Sequence, residues 1–230
     1  MKHTAYLPLA LLSLTMGATA TAEPLIQVSF TGTVTGLDIQ PGYEAAFNAA
    51  FTVGDSVAFD VIYDAGLPQS VDAVSNVDSY SDAIVSVSGN VNGYAVSAVS
   101  PSISILTLTN DSISTLYGDH FSIDSAGDSF TGDVIAGATP GYFGVQFTDT
   151  DATLFPGAAI DPLPPLSSIE PSDFSQFDVG PFGAVDYYIG ETYVAEVLFE
   201  TTSISAQTVP EPTSLALLGL GGLLVSRRRR

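Results

Sequence analysis

"VGDSVAFDVIYD", residues 53–64, decides the fold. Val57, Phe59, Val61 and Tyr63 alternate with Ala58, Asp60 and Ile62, a period of two that places one set of side chains on each face of an extended strand. Gly54 and Asp55 ahead of the run supply turn chemistry, and no helical period fits the same residues. Upstream, Ile26, Val28, Phe30 and Val34 alternate with Gln27, Ser29, Thr31, Thr33 and Thr35. Downstream, Phe143, Val145 and Phe147 repeat the pattern. Further strands are expected at 83–91, 94–99, 103–109, 120–123, 184–189 and 193–204, with Asn92-Gly93 as a hairpin turn between two of them.

Many short strands with one apolar face each must bury those faces against one another. The expectation is an all-β body: a two-sheet antiparallel β-sandwich, with the jelly roll as one topology it admits and a closed barrel as the alternative. Two stretches interrupt the rhythm. Residues 36–50 hold "PGYEAAFNAA", suited to one helical turn, and residues 150–172 carry Pro156, Pro162, Pro164, Pro165 and Pro171. The second is read as a strap crossing between sheets, with a binding loop as the alternative. "SFTGTV" at Ser29 and "SFTGDV" at Ser129 are read as a chance echo in a biased composition.

The 230 residues suit one domain with end segments. Lysine and arginine occur only as Lys2 and Arg227 to Arg230, so nothing between residues 3 and 226 carries either. Residues 23–209 hold 24 of the 25 acids, a formal charge of −24. Such a surface repels phosphate, which excludes nucleic-acid and peripheral lipid binding by the body. With no cysteine there is no disulfide, thiolate nucleophile, zinc-thiolate site or lipid acceptor.

Lys2 and His3, the apolar run 5–16 and the small-residue stretch "ATATA" ending at Ala22 have the order of a secretory leader. Cleavage is expected after Ala22, with Ala20 as the second position. The domains are therefore a signal peptide at 1–22, a β-sandwich body at 23–208 and a tail at 209–230. In that tail, residues 215–225 would span about 16 Å as a helix, against a hydrocarbon core of about 30 Å. Flanking residues and arginine stems extend its reach, and Arg227, Arg228, Arg229 and Arg230 hold that end on the cytoplasmic side. The tail reads as a short apolar transmembrane helix. Pro210 and Pro212 keep the step before it extended.

Val209-Pro210-Glu211-Pro212-Thr213-Ser214, the Leu/Gly-rich run and the four arginines together resemble the PEP-CTERM sorting signal of exported proteins in Gram-negative bacteria, over 22 of 230 residues. The resemblance implies recognition by exosortase, a multi-spanning membrane enzyme that cleaves near the Pro-Glu-Pro step and releases or transfers the body, often in bacteria that make exopolysaccharide. Pro210, Glu211 and Pro212 carry that motif here.

No catalytic constellation is assigned. His120, the one histidine outside the leader, falls at an outward strand position, and no nucleophile motif or oxyanion hole accompanies it. "GDSV" at Gly54 and "GDSF" at Gly127 are similar to the block of GDSL-type hydrolases. In that family the histidine follows the serine by a long stretch, whereas His120 precedes the second copy. Calcium suits carboxylate oxygens, and Asp149-Thr150-Asp151 with Asp161, or Asp119, Asp124, Asp128 and Asp133, are the candidate groups; neither has a recognised loop spacing, so no metal or cofactor is assigned. The expectation is a non-enzymatic exported protein of the envelope or extracellular matrix, anchored transiently in the inner membrane. Its partners would be the secretion machinery, signal peptidase, an exosortase and extracellular polysaccharide. A secreted carbohydrate-active enzyme, or a calcium-dependent carbohydrate-binding module, is the alternative.

Overall fold

Period-two alternation becomes strand after strand in the computed structural model, which describes residues 25–67, 77–109, 119–151, 154, 166, 169–178 and 182–209. In chain order the elements are β1 (Leu25–Ile39), α1 (Glu44–Ala50), β2 (Ser56–Asp64), β3 (Val77–Ser81), β4 (Ile84–Val91), β5 (Tyr94–Val99), β6 (Ile103–Thr109), β7 (Asp119–Ala126), β8 (Phe130–Gly132) and β9 (Thr139–Asp149). A 3-10 helix (Pro171–Gln176), β10 (Phe182–Ile189) and β11 (Thr192–Val209) follow. In β2 the side chains at 57, 59, 61 and 63 are buried while those between them are half-buried, as the alternation requires. The expected helical turn in 36–50 is α1, which buries Phe47 and Ala50. Asn92 and Gly93 both have positive φ, 50° and 82°, the geometry of a tight hairpin turn between β4 and β5.

All strand pairings are antiparallel, and the strands form one eleven-stranded sheet in the order β3-β6-β7-β9-β10-β11-β1-β2-β4-β5-β8. The expectation of two separate sheets, and of a jelly roll built from them, is corrected to this single sheet. Among the described residues the sheet is not closed into a barrel either, since β3 and β8 are its edges. Face-to-face packing arises by curling. β2 and β9 are four strand steps apart, about 19 Å across a flat sheet. Yet the rings of Phe59 and Phe143 on those strands lie 4.8 Å apart, and Tyr63 of β2 lies 5.7 Å from Phe121 of β7.

Bends in the long strands make the curl. In the β1–β11 ladder Thr31 pairs with Ser203 but Gly32 with Thr201, leaving Thr202 as an extra residue, and Val34 pairs with Phe199 but Gly36 with Leu198, leaving Thr35. Such bulges bend and twist a strand. Gly32 is required at the first, because a Cβ there would sit 2.2 Å from the Glu200 carbonyl oxygen. A second device works at the far ends. β3 is followed almost at once by β4 through Asp82, with φ 61°, and β5 by β6 past Ser100, with φ 46°. Since β3 pairs with β6 and β4 with β5, the four are one long hairpin bent across its middle. One half joins β2 and the other joins β7, so the hairpin passes from one side of the curl to the other. Buried Ser104 fastens the bend: its hydroxyl accepts from the Ile84 N–H at 2.6 Å and its carbonyl from the Asp82 N–H at 2.7 Å.

β10 begins only at Phe182, opposite Glu200, while β9 continues to Asp149 and β11 to Val209. The segment around the 3-10 helix lies where β9 and β11 lose that common neighbour. The helix packs against β11, and the Asp178 N–H donates to the Thr148 carbonyl at 2.7 Å. Phe174 and Phe177 enter the core against Phe121 and Phe147. At the centre Phe30 touches Phe59, Phe143, Phe147 and Phe199.

Among the described residues no helix is long and apolar enough to cross a membrane. The leader at 1–22 and the apolar helix expected in the tail lie outside the described residues. Val209, the first residue of that tail, is the last residue of β11 and pairs with Leu25.

Candidate functional site

Outward side chains of β7, β9, β10 and β11 form rows fixed by register. One row runs Asp124, Gly144, Ala184, Leu198, and the next runs Ala126, Tyr142, Asp186, Glu196, Asp38, the last residue belonging to β1. A depression of about 410 Å³ lies on this face, with Gly144 and Ala184 in its lining. Its walls include Tyr142, Phe182 and Leu198, and its polar groups include Asp124, Gln146 and Glu196. Tyr142 leans over Gly144, where a Cβ would meet its hydroxyl at 2.2 Å, and that hydroxyl donates to Asp124 Oδ1 at 2.6 Å. Glycine at 144 thus lets the phenol lie across the floor.

Negative charge is concentrated here without compensation. Asp186 and Glu196 are directly opposite on adjacent strands, an arrangement that is repulsive between like charges. Asp186 is half-buried, and burial followed by the charge of Glu196 raises its pKa to about 6, against a smaller lowering from the Tyr188 hydroxyl. That hydroxyl donates to Oδ2 at 3.3 Å, while Oδ1 is buried without a hydrogen-bond partner. Burial, the hydrogen bond to Asp124 and the neighbouring carboxylates raise Tyr142. Tyr193 is pushed up to about 12 by burial and then by Asp38, Glu196 and Asp186. These phenols stay protonated and can donate.

A second depression, about 310 Å³, lies on the outer face of β11, β1, β2 and β4. Register aligns Ser205, Ser29, Asp60, Ser88, Ser97 and Thr131 in one row across six strands. Ser29 Oγ donates to Asp60 Oδ1 at 2.5 Å, and the hydroxyls of Ser97 and Thr131 are 2.9 Å apart. The face is a lattice of short hydroxyls with one carboxylate.

The residues singled out in the sequence are dispersed or lie elsewhere. Pro210, Glu211, Pro212, Arg227 to Arg230, Ala20 and Ala22 fall outside the described residues, as does Asp161. His120 is on the outer face, its Nδ1 3.0 Å from Thr148 Oγ1 and 2.9 Å from Gln146 Nε2. Gly54 and Gly127 have positive φ, 95° and 122°, in turns that lead into β2 and β8. The two candidate calcium groups are mixed by the fold: Asp119 pairs with Asp149, both buried, while Asp133 accepts from the Ala95 N–H at 2.7 Å. Among the described residues no three His, Asp or Glu side chains are grouped to hold a metal ion. Sequence reading missed the cluster of Asp124, Tyr142, Asp186 and Glu196. Asp186 and Glu196 fall within the strands expected at 184–189 and 193–204, whereas Asp124 and Tyr142 lie just beyond the expected 120–123 and the alternation that starts at Phe143; only register brings the four together.

Searches of curated proteins and of solved structures found no match to this chain. Residues 208–230 match the family described as the PEP-CTERM protein-sorting motif, so β11 runs directly into a PEP-CTERM sorting signal.

Proposed function

We propose that this is a non-enzymatic exported protein, delivered to the outer envelope or extracellular matrix after exosortase removes its tail, and associated there with exopolysaccharide. The sorting motif implies exosortase as the processing partner and is consistent with export and transient membrane sorting. The observation that carries the reading is the match at 208–230, which begins where β11 ends. Signal peptidase would act after Ala22 or Ala20, and Arg227 to Arg230 would retain the uncut chain in the inner membrane with the body outside. The polysaccharide part is supported by the hydroxyl row on β11, β1, β2, β4, β5 and β8, which offers donors and acceptors to a polymer rich in hydroxyls.

A carbohydrate-active enzyme is the weaker reading. Burial raises the Asp186 pKa to about 6, the direction a catalytic acid needs, but Asp124 and Glu196 line the depression and Asp186 does not. Mass spectrometry of the protein from its native cell tests the sorting reading: the expected mature chain starts at Glu23 or Thr21 and ends before Arg227. A terminus still bearing Arg230 overturns the processing step. Retention of the purified protein on the host's own matrix polymer tests the second part, and elution in the void volume overturns it.

A further inference from the structure

We propose that the last six pairs of the β1–β11 ladder, Leu25–Val209 to Phe30–Ile204, are a gate on tail removal: the processing enzyme can hold the chain at its sorting motif only after β11 has peeled from β1 toward Ser203. The inference rests on the sorting reading and adds to it a recognition step within the body. The match to the sorting motif opens at residue 208, so its first two residues, Thr208 and Val209, are paired with Ile26 and Leu25. Outward of the last rung stand Pro24 and Pro210, and neither has an N–H to give to a further one.

Length turns this into a conflict. Between Val209 and the apolar run, residues 210–214 span at most about 18 Å even when fully extended. The headgroup zone on one side of a bilayer takes about 5–8 Å of that. What is left is about the width of one helix. An enzyme that surrounds the backbone at its cut needs more chain, and each peeled residue supplies about 3.3 Å.

This end of the ladder is also the one built to yield. β10 starts opposite Glu200, so residues 202–209 of β11 have β1 as their only strand partner among the described residues. Ser205, Gln207 and Thr208 are exposed, and Ile204, Ala206 and Val209 are only partly buried. β1 does not depend on them, because it stays paired to β2 from Leu25–Asp64 to Thr33–Ser56. Peeling meets a catch at Ser203, whose hydroxyl lies 2.6 Å from that of Thr31, with the extra residue Thr202 of the bulge behind it. Strand ends of this kind open at a free energy far below that of global unfolding. Where opening is fast, the rate of cutting follows the open fraction.

The test is pulse-labelling of the full chain in its native cell, following loss of Arg227–Arg230 by mass. An insertion of about eight Gly/Ser residues between Val209 and Pro210 supplies length without peeling, and should speed tail removal at least about threefold. Gln27→Cys with Gln207→Cys, directly opposite each other in a chain without cysteine, locks the ladder. Removal should slow at least about tenfold when the two are bridged and recover when they are reduced. Bridge and insertion together should match the insertion alone, which a misfolded body would not. An unchanged rate with the insertion, or bridged chain processed at the wild-type rate, overturns the gate. If the cysteines do not bridge, the insertion decides. Wild-type chain that keeps Arg230 overturns the sorting reading and the gate together, whereas equal tail loss in the wild type and every variant overturns the gate alone.

Discussion

Phe30 has four aromatic neighbours, from β2, β9 and β11, and is 2% exposed. Truncating it removes ring contacts with both sides of the curl at once. Phe30→Ala should lower stability by about 3–5 kcal/mol in urea denaturation, at the upper end for core deletions. Asp186 acts in the opposite sense. In the folded protein it titrates near 6, whereas an unfolded aspartate titrates near about 4. Between those values the folded state holds the extra proton, so its contribution to stability is full below about pH 4 and lost as pH rises to about 6. Asp186→Asn should therefore raise stability at pH 7 by about 1 kcal/mol, after allowance for solvent screening of a half-buried group. At pH 4 the gain should vanish, and urea curves at the two pH values check the sign.

Strands and turns respond to backbone rather than to side-chain chemistry. Gly32→Val would drive a side chain into the Glu200 carbonyl at the bulge, so the β1–β11 ladder must lose pairs there or shift. The loss should exceed about 3 kcal/mol, and amide exchange should quicken along both strands. Gly93→Ala, at φ 82° with open space around it, should cost only about 1 kcal/mol. Most elements were legible: the limits of β5 and β6 match the alternation, because each is a whole strand bounded by turn residues. β3 and β8 were not, since "VDSYS" and "FTG" are too short and polar to show a period. The count of sheets was also hidden. Continuity depends on Thr35, Thr202, Asp82 and Ser100 sitting at bulges and bends, and none of these residue types announces such a role. The acidic depression was hidden for the related reason that Asp124, Asp186 and Glu196 are far apart in sequence and meet through pairing alone.

Across the whole molecule, charge is one-sided: 24 acids and no lysine or arginine in residues 23–209. Repulsion of that kind weakens when counter-ions crowd closer than the distance between carboxylates. Melting temperature should climb steadily between 10 mM and 0.5 M sodium chloride, and a flat response would show the charges to be too dispersed to matter. The strand order has a consequence for biogenesis. β11 and β1 stand side by side in the middle of the sheet, although they are the last and first strands of the body. β1 emerges early and must wait, with one backbone edge unfilled, until the chain delivers its keystone. Because that keystone ends at Val209, a pause just beyond it would give the two halves of the molecule time to lock together before release.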